Sequence, residues 1–188
     1  MAEAPHPILA ASLVPHRAPS NPSVRGIEGT VTRTGSAGLR FEFLLDGHTA
    51  DLRVPESLPP SFRDGLWRHT CFEAFVAIAG SPAYREFNFS PSGEWAGYRF
   101  SGYRQREGGT VAAPEIVFRQ EAGSLHLNAA VTAASLPPTA AGATLQIGLA
   151  AVIESVEGNL SYWALAHPAE QPDFHHRDGF LLSLSCDS

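Results

Sequence analysis

From Ala143 to Glu154 the chain reads ATLQIGLAAVIE, and its larger apolar residues fall on alternate positions. Leu145, Ile147, Leu149, Ala151 and Ile153 share one side; Gln146, Gly148, Ala150 and Glu154 share the other. A period of two is the signature of a strand with one face in a core. The pattern recurs. SLHLNAAVT sets Leu125, Leu127, Ala129 and Val131 against His126, Asn128, Ala130 and Thr132. GLRFEFLL sets Leu39, Phe41 and Phe43 against Arg40 and Glu42. TCFEAFVAI sets Phe72, Ala74, Val76 and Ile78 against Cys71, Glu73, Phe75 and Ala77. Further strands are expected near 26–34, 115–119, 159–166 and 179–184. Helical stripes are scarce: LPPSFRDGLW and TAASLPP each offer one short turn before Pro or Gly stops it. The 17 glycines and 15 prolines are spread along the chain and punctuate short runs. About ten short strands with almost no helix predict an all-β fold, a jelly-roll-like antiparallel β-sandwich. With no repeat or long linker, residues 1–188 are read as one domain.

A 44% hydrophobic share is enough for a packed core. The formal net charge of -6 argues against nucleic acid or an anionic membrane as partner, because both need clustered cations. All thirteen basic residues are Arg, which excludes lysine chemistry. The two cysteines, Cys71 and Cys186, read as free thiols. The N-terminal MAEAPHPILAASLVPHRAPS lacks a basic start and its apolar run is broken by prolines, so no signal peptide is read. No stretch approaches membrane-spanning length. A cytoplasmic location is expected.

The segment YREFNFSPSGEWAGYRF holds the densest chemistry. Phe87 and Phe89 alternate with Glu86 and Asn88; SPSG makes a turn; Ala96, Tyr98 and Phe100 alternate with Trp95 and Arg99. If the two apolar sets join Phe72, Ala74 and Val76 in the core, the opposite face carries Glu73, Phe75, Glu86, Asn88, Trp95, Arg99 and Tyr103. Carboxylate, amide, guanidinium and aromatic rings together suit a saccharide. Polar groups bond vicinal hydroxyls, and a ring covers the apolar face of a pyranose. An ordinary solvated sheet face with weak cross-strand pairs has the same composition.

The stretch from Leu66 to Arg104 resembles DOMON-like domains, and among them the group similar to type 9 carbohydrate-binding modules; the resemblance extends over most of the chain, from about Ile8 to Leu184. The resemblance rests on Trp67, then Glu73 and Phe75, then Phe87, Asn88, Pro91 and Gly93, and the ending YWALAHPAEQPDFHHRDGFLLSL supports it. It implies a β-sandwich that binds sugars, or haem in some relatives. By that match Trp67 is a stacking platform, Glu73 a hydroxyl acceptor, and Asn88 and Arg99 further polar contacts. A second Trp closes such sites, and Trp163 is the candidate here. Trp95 joins this set from the hairpin itself.

The tail HPAEQPDFHHRDGF offers Asp173, His175 and His167 as metal ligands, but lacks an HxxxH-type spacing, so no metal is assigned. It reads instead as a braced loop, with Asp173 capping a turn or pairing with Arg177 and Phe174 plugging the sandwich; His175 is kept as a ligand contact. A haem module would need bis-His ligation, with His126 or His167, since the only methionine is Met1; no cofactor is assigned. Glu73 and Glu86 form a conceivable carboxylate pair for glycoside hydrolysis, but no GxSxG elbow, phosphate loop or zinc signature is present. The function expected is non-catalytic binding of a small polar ligand, a saccharide first. A haem or redox module and a protein-interaction domain stand as alternatives. Oligomeric state is left open.

Overall fold

The computed structural model describes residues 8–16, 21–35 and 37–186. Met1 and most of the N-terminal segment read above lie outside them. Twelve strands run in chain order. They are β1 (Ile8–Pro15), β2 (Val24–Arg33), β3 (Leu39–Gly47), β4 (Cys71–Ile78), β5 (Tyr84–Phe89) and β6 (Trp95–Gly102). There follow β7 (Gln105–Glu107), β8 (Glu115–Glu121), β9 (Ser124–Val131), β10 (Thr144–Glu154), β11 (Leu160–Ala164) and β12 (Leu182–Ser185). The only helices among the described residues are four single 3-10 turns, including Leu66–Arg68 and Ala133–Ser135 in the two segments expected to turn.

All strand pairings are antiparallel, in the order β7-β6-β5-β4-β10-β11-β1-β2-β3-β9-β8, with β12 on the edge of β10 beside β11. The chain doubles this sheet over at β1. Residues 8–13 of β1 pair with β2, whereas Val14 and Pro15 pair with β11. Two layers result. Sheet A holds β2, β3, β8 and β9; sheet B holds β4 to β7 and β10 to β12. Their facing sides close one core. Phe41 meets Phe89 at 5.9 Å and Phe43 meets Phe72 at 5.1 Å between ring centroids. The inward sets read from β3, β4, β9 and β10 are all in this core. β1 escaped the sequence reading because its alternation runs through small residues, Ala10, Ala11 and Ser12, whose two faces hardly differ in polarity.

The two layers differ on their outer faces. β3 alternates strictly between buried and exposed residues, as a half-wet strand must. β4 is buried from Cys71 to Ala77 on both sides. The expectation of a wet outer face is therefore corrected for sheet B. There Phe75, Tyr84, Phe100 and Phe180 form a second apolar cluster under residues 172–180. Phe180 reaches the sheet because Gly148 has no side chain: a Cβ there would lie 2.8 Å from Phe180 Cδ1. That separation is too short for any real contact and would push the ring off the sheet. Gly148→Ala should lower stability by about 1–3 kcal/mol in urea denaturation. Gly26→Ala, where nothing lies within 4 Å, should change it by less than about 0.5 kcal/mol.

Candidate functional site

The register of the β5–β6 hairpin decides which side chains meet. Asn88 pairs with Ala96, Glu86 with Tyr98, and Phe89 with Trp95. Directly opposed residues of an antiparallel pair share a face. The connection is a five-residue loop closed by Ser90 N–H to the Glu94 carbonyl (3.0 Å), with Gly93 at φ +90°. This corrects the expected facing of β6 by one residue, and a one-residue shift exchanges both faces. Ala96, Tyr98 and Phe100 stand outside with Glu73, Glu86 and Asn88. Trp95 and Arg99 stand on the sandwich side. Trp95 packs edge-on against Phe62 (5.5 Å), and Arg99 lies beside Arg85 and Gly109.

On this outer face of sheet B lies a cavity of about 510 Å³. Its floor is Glu73 on β4 and Glu86 on β5. Its walls are Trp67, Tyr98, Tyr162 and Phe174, with Arg68, Arg104, Arg106 and His175 around them. Trp67, at 38% exposure, stands at the mouth with its ring 6.1 Å from that of Tyr98. Tyr98 donates to Asp64, and Arg106 lies 4.0 Å over its ring.

Residues 173–177 are pinned to the sheet at every second residue. Asp173 accepts from Tyr103 Oη (2.6 Å) and Arg104 Nη2 (2.8 Å). Burial alone would raise its pKa, but these two donors hold it below the ordinary value. His175 Nδ1 meets Tyr84 Oη at 2.8 Å. Arg177 donates to Gln146 Oε1 (2.8 Å) and to the Ser81 carbonyl (3.1 Å). Of the two roles expected of Asp173, the turn cap is present, the His175 N–H donating to Asp173 Oδ1 (3.2 Å), whereas the pair with Arg177 is replaced by two separate anchors. Phe174 covers the outer cluster rather than plugging the core. Tyr84 Oη also accepts from the Arg104 N–H (3.1 Å). The other ring nitrogen of His175, Nε2, lies 3.6 Å from Glu86 Oε2.

Glu73 is 3% exposed and its Oε1 has no hydrogen-bond partner among the described residues. Glu86 accepts from Asn88 Nδ2 at 2.6 Å, and Asn88 Oδ1 faces the Cys71 thiol at 3.6 Å. Glu73 opposes Asn88 and Glu86 opposes Phe75, so the two carboxyls are diagonal neighbours, roughly 7–8 Å apart at the backbone. Burial, and then the Glu86 charge, push the Glu73 pKa well up. Burial raises Glu86 to about 7, against the Asn88 amide and the nearby Arg104 and Arg106. His175 is pushed down to about 4, by burial first and then by Arg104. At neutral pH it therefore faces Glu86 as a neutral ring, not as an ion-pair partner.

The other expected residues lie elsewhere. Asn88 is fully buried beneath the floor and positions Glu86. Trp163 is 5% exposed in the sandwich core and bonds Ser161. His126 is exposed on the outer face of sheet A, beside Ser124. His167 bonds the Val14 carbonyl through Nε2 (2.9 Å). Both cysteines are free and buried. Among the described residues no three His, Cys, Asp or Glu side chains stand together as a metal-ligand set. A hollow of about 580 Å³ on the outer face of sheet A is slightly larger. There Asn128 donates to Glu42 (2.7 Å) and Arg40 to Asn128 (3.3 Å), and among the described residues none of its lining groups is a buried polar atom without a partner. Tyr98, Tyr162, Phe174, Arg104 and Arg106 were missed as lining residues. The correct hairpin register would have found Tyr98, whereas the others depend on how distant segments fold onto sheet B.

No protein-family model matches the chain, and no curated protein does. Among solved structures the chain is similar to a Bacteroides uniformis protein inferred to bind carbohydrate. The TM-score is 0.70 at 16% identity, over 95% of this chain and 86% of that one. It is also similar to a family 9 carbohydrate-binding module from Caldicellulosiruptor kristjanssonii, solved in complex with glucose. There the TM-score is 0.54 at 5% identity, over 85% of this chain and 76% of that one. At these identities the likeness establishes a shared β-sandwich fold.

The carboxyl pair makes stability pH-dependent with a definite sign. A carboxyl whose folded pKa is raised stabilises the fold below its unfolded value, near 4.5, and that stabilisation is lost as pH rises through about 7. His175, with its pKa lowered to about 4, works oppositely, its contribution being lost as pH falls below its unfolded value of about 6.5. Subtracting the Glu86→Gln unfolding curve leaves the Glu86 carboxyl together with its coupling to Glu73. Wild type should lose roughly 2–3 kcal/mol relative to Glu86→Gln between about pH 4.5 and pH 8.

Proposed function

We propose that this chain binds a carbohydrate, without catalysing its breakdown, in the cavity on the outer face of sheet B. The observation that carries this reading is a buried carboxyl oxygen without a partner at the bottom of an aromatic-walled hollow. An unsatisfied buried polar atom forfeits on the order of 1–3 kcal/mol. A ligand hydroxyl reaching Glu73 Oε1 would recover that. Trp67 and Tyr98 at the mouth would cover the C–H face of a sugar ring. Glu86, His175 Nε2 and the Arg104 and Arg106 guanidiniums supply acceptors and donors for the other hydroxyls. The volume suits a mono- or disaccharide. The shared fold with a module solved with glucose favours sugar over other polar ligands.

Calorimetric titration with glucose, galactose, mannose, their β-linked disaccharides, and amino and acidic sugars tests the reading. At least one should bind, and Trp67→Ala should weaken it about tenfold or more, in line with loss of a stacking face. Trp67 is partly exposed, so the same substitution should lower stability by less than about 1 kcal/mol. Loss of several kcal/mol would make Trp67 structural. Silence across simple, amino and acidic sugars would defeat the proposal.

A further inference from the structure

The charges around this cavity are unevenly placed. The cations stand at its sides, and two of the three are already engaged. Arg104 is held by Asp173 at 2.8 Å; Arg106 reaches Asp64 at 3.6 Å and lies over the Tyr98 ring. Among the described residues neither acid on the floor forms an ion pair with an arginine. Glu86 feels Arg104 and Arg106 only at longer range and has the neutral His175 ring 3.6 Å away, and Glu73 Oε1 has no hydrogen-bond partner. The walls next to these acids are aromatic faces.

A neutral hydroxyl could satisfy Glu73 Oε1. It would still leave two neighbouring buried carboxyls that cannot both ionise without repelling each other. An ammonium removes that conflict. It brings three N–H donors and the positive charge that two carboxylates need, and aromatic rings favour a cation beside them. Glu73's orphaned oxygen supplies the position for one of those donors.

We propose that the saccharide this cavity prefers is an amino sugar carrying a free ammonium, bound with the ammonium directed at Glu73 and Glu86. The inference rests on the carbohydrate reading above and narrows it. The ring would lie against Trp67 and Tyr98 near the mouth, and the amine would reach the floor.

The test is calorimetric titration of the full chain at about pH 7, where an α-amino-type group is mostly charged. Glucosamine, N-acetylglucosamine and glucose are the probes, with cyclohexylamine as an ammonium on an apolar ring. Glucosamine should bind about tenfold tighter than glucose or more. N-acetylglucosamine, which has the bulk but not the charge, should fall to the level of glucose or below. Glu73→Gln keeps the shape of the side chain and removes its charge, and should abolish the preference for glucosamine. The three-sugar comparison on the unaltered chain stands even if that variant fails to fold. Glucose binding as tightly as glucosamine would overturn this inference and leave the carbohydrate reading intact. Binding of glucosamine and cyclohexylamine alike would keep the ammonium site and defeat the sugar reading. Silence from all four would overturn the inference.

Discussion

Burial of sheet B on both faces is the constraint from which the rest of the structure follows. A strand in a two-layer sandwich needs one apolar face, and β3 has only one. β4 carries two: Phe72, Ala74 and Val76 inward, Cys71, Phe75 and Ala77 outward. The second face cannot be left to water without exposing a large apolar patch. The chain covers it with its own residues 172–180, seated through Phe180 over Gly148 and held by three polar anchors. A strand buried on both faces reads as a nearly continuous apolar run, and TCFEAFVAI is such a run apart from Glu73.

Glu73 is the exception that carries meaning. A carboxyl in a covered sheet face forfeits solvation, and an apolar residue of similar size would be the more stable choice there. Asn88 softens the cost for Glu86 through its 2.6 Å hydrogen bond, and the His175 ring lies 3.6 Å from it. Glu73 receives neither at Oε1. Sites that sacrifice stability locally are where function is to be sought. Here the sacrifice sits where the covering segment leaves the sheet open.

Much of the fold was legible in the sequence, because alternation reports burial wherever one face is wet. β3, β9 and β10 carry their inward residues where the period places them. Glu73 was legible on that basis and Trp67 through the family resemblance, and the two line one cavity. Two things were not legible. The facing of β6 hinges on whether the SPSGE connection holds four residues or five, and both faces of that strand hold aromatic residues, so hydrophobicity could not arbitrate. Trp95 and Arg99 were misplaced for that reason alone. The cover was hidden for a different reason. Its anchors, Asp173, His175 and Arg177, bond to Tyr103, Arg104, Tyr84, Gln146 and Ser81, all distant along the chain. Local pattern holds no record of such contacts.

The place of Trp163 in the core shows what shapes the hollow. An aromatic clamp on a sugar needs two opposed faces, and with Trp163 bonded to Ser161 inside the sandwich the second face has to come from elsewhere. Phe174 and Tyr162, whose rings lie 6.3 Å apart, stand among the cavity walls that include Trp67 and Tyr98. Phe174 lies between Asp173 and His175, two of the three anchors of the covering segment. The same contacts that bury the apolar outer cluster therefore set the position of that wall. Loosening an anchor would widen the cavity and expose the cluster together, so in this protein the geometry of the site and the stability of sheet B are not independent quantities.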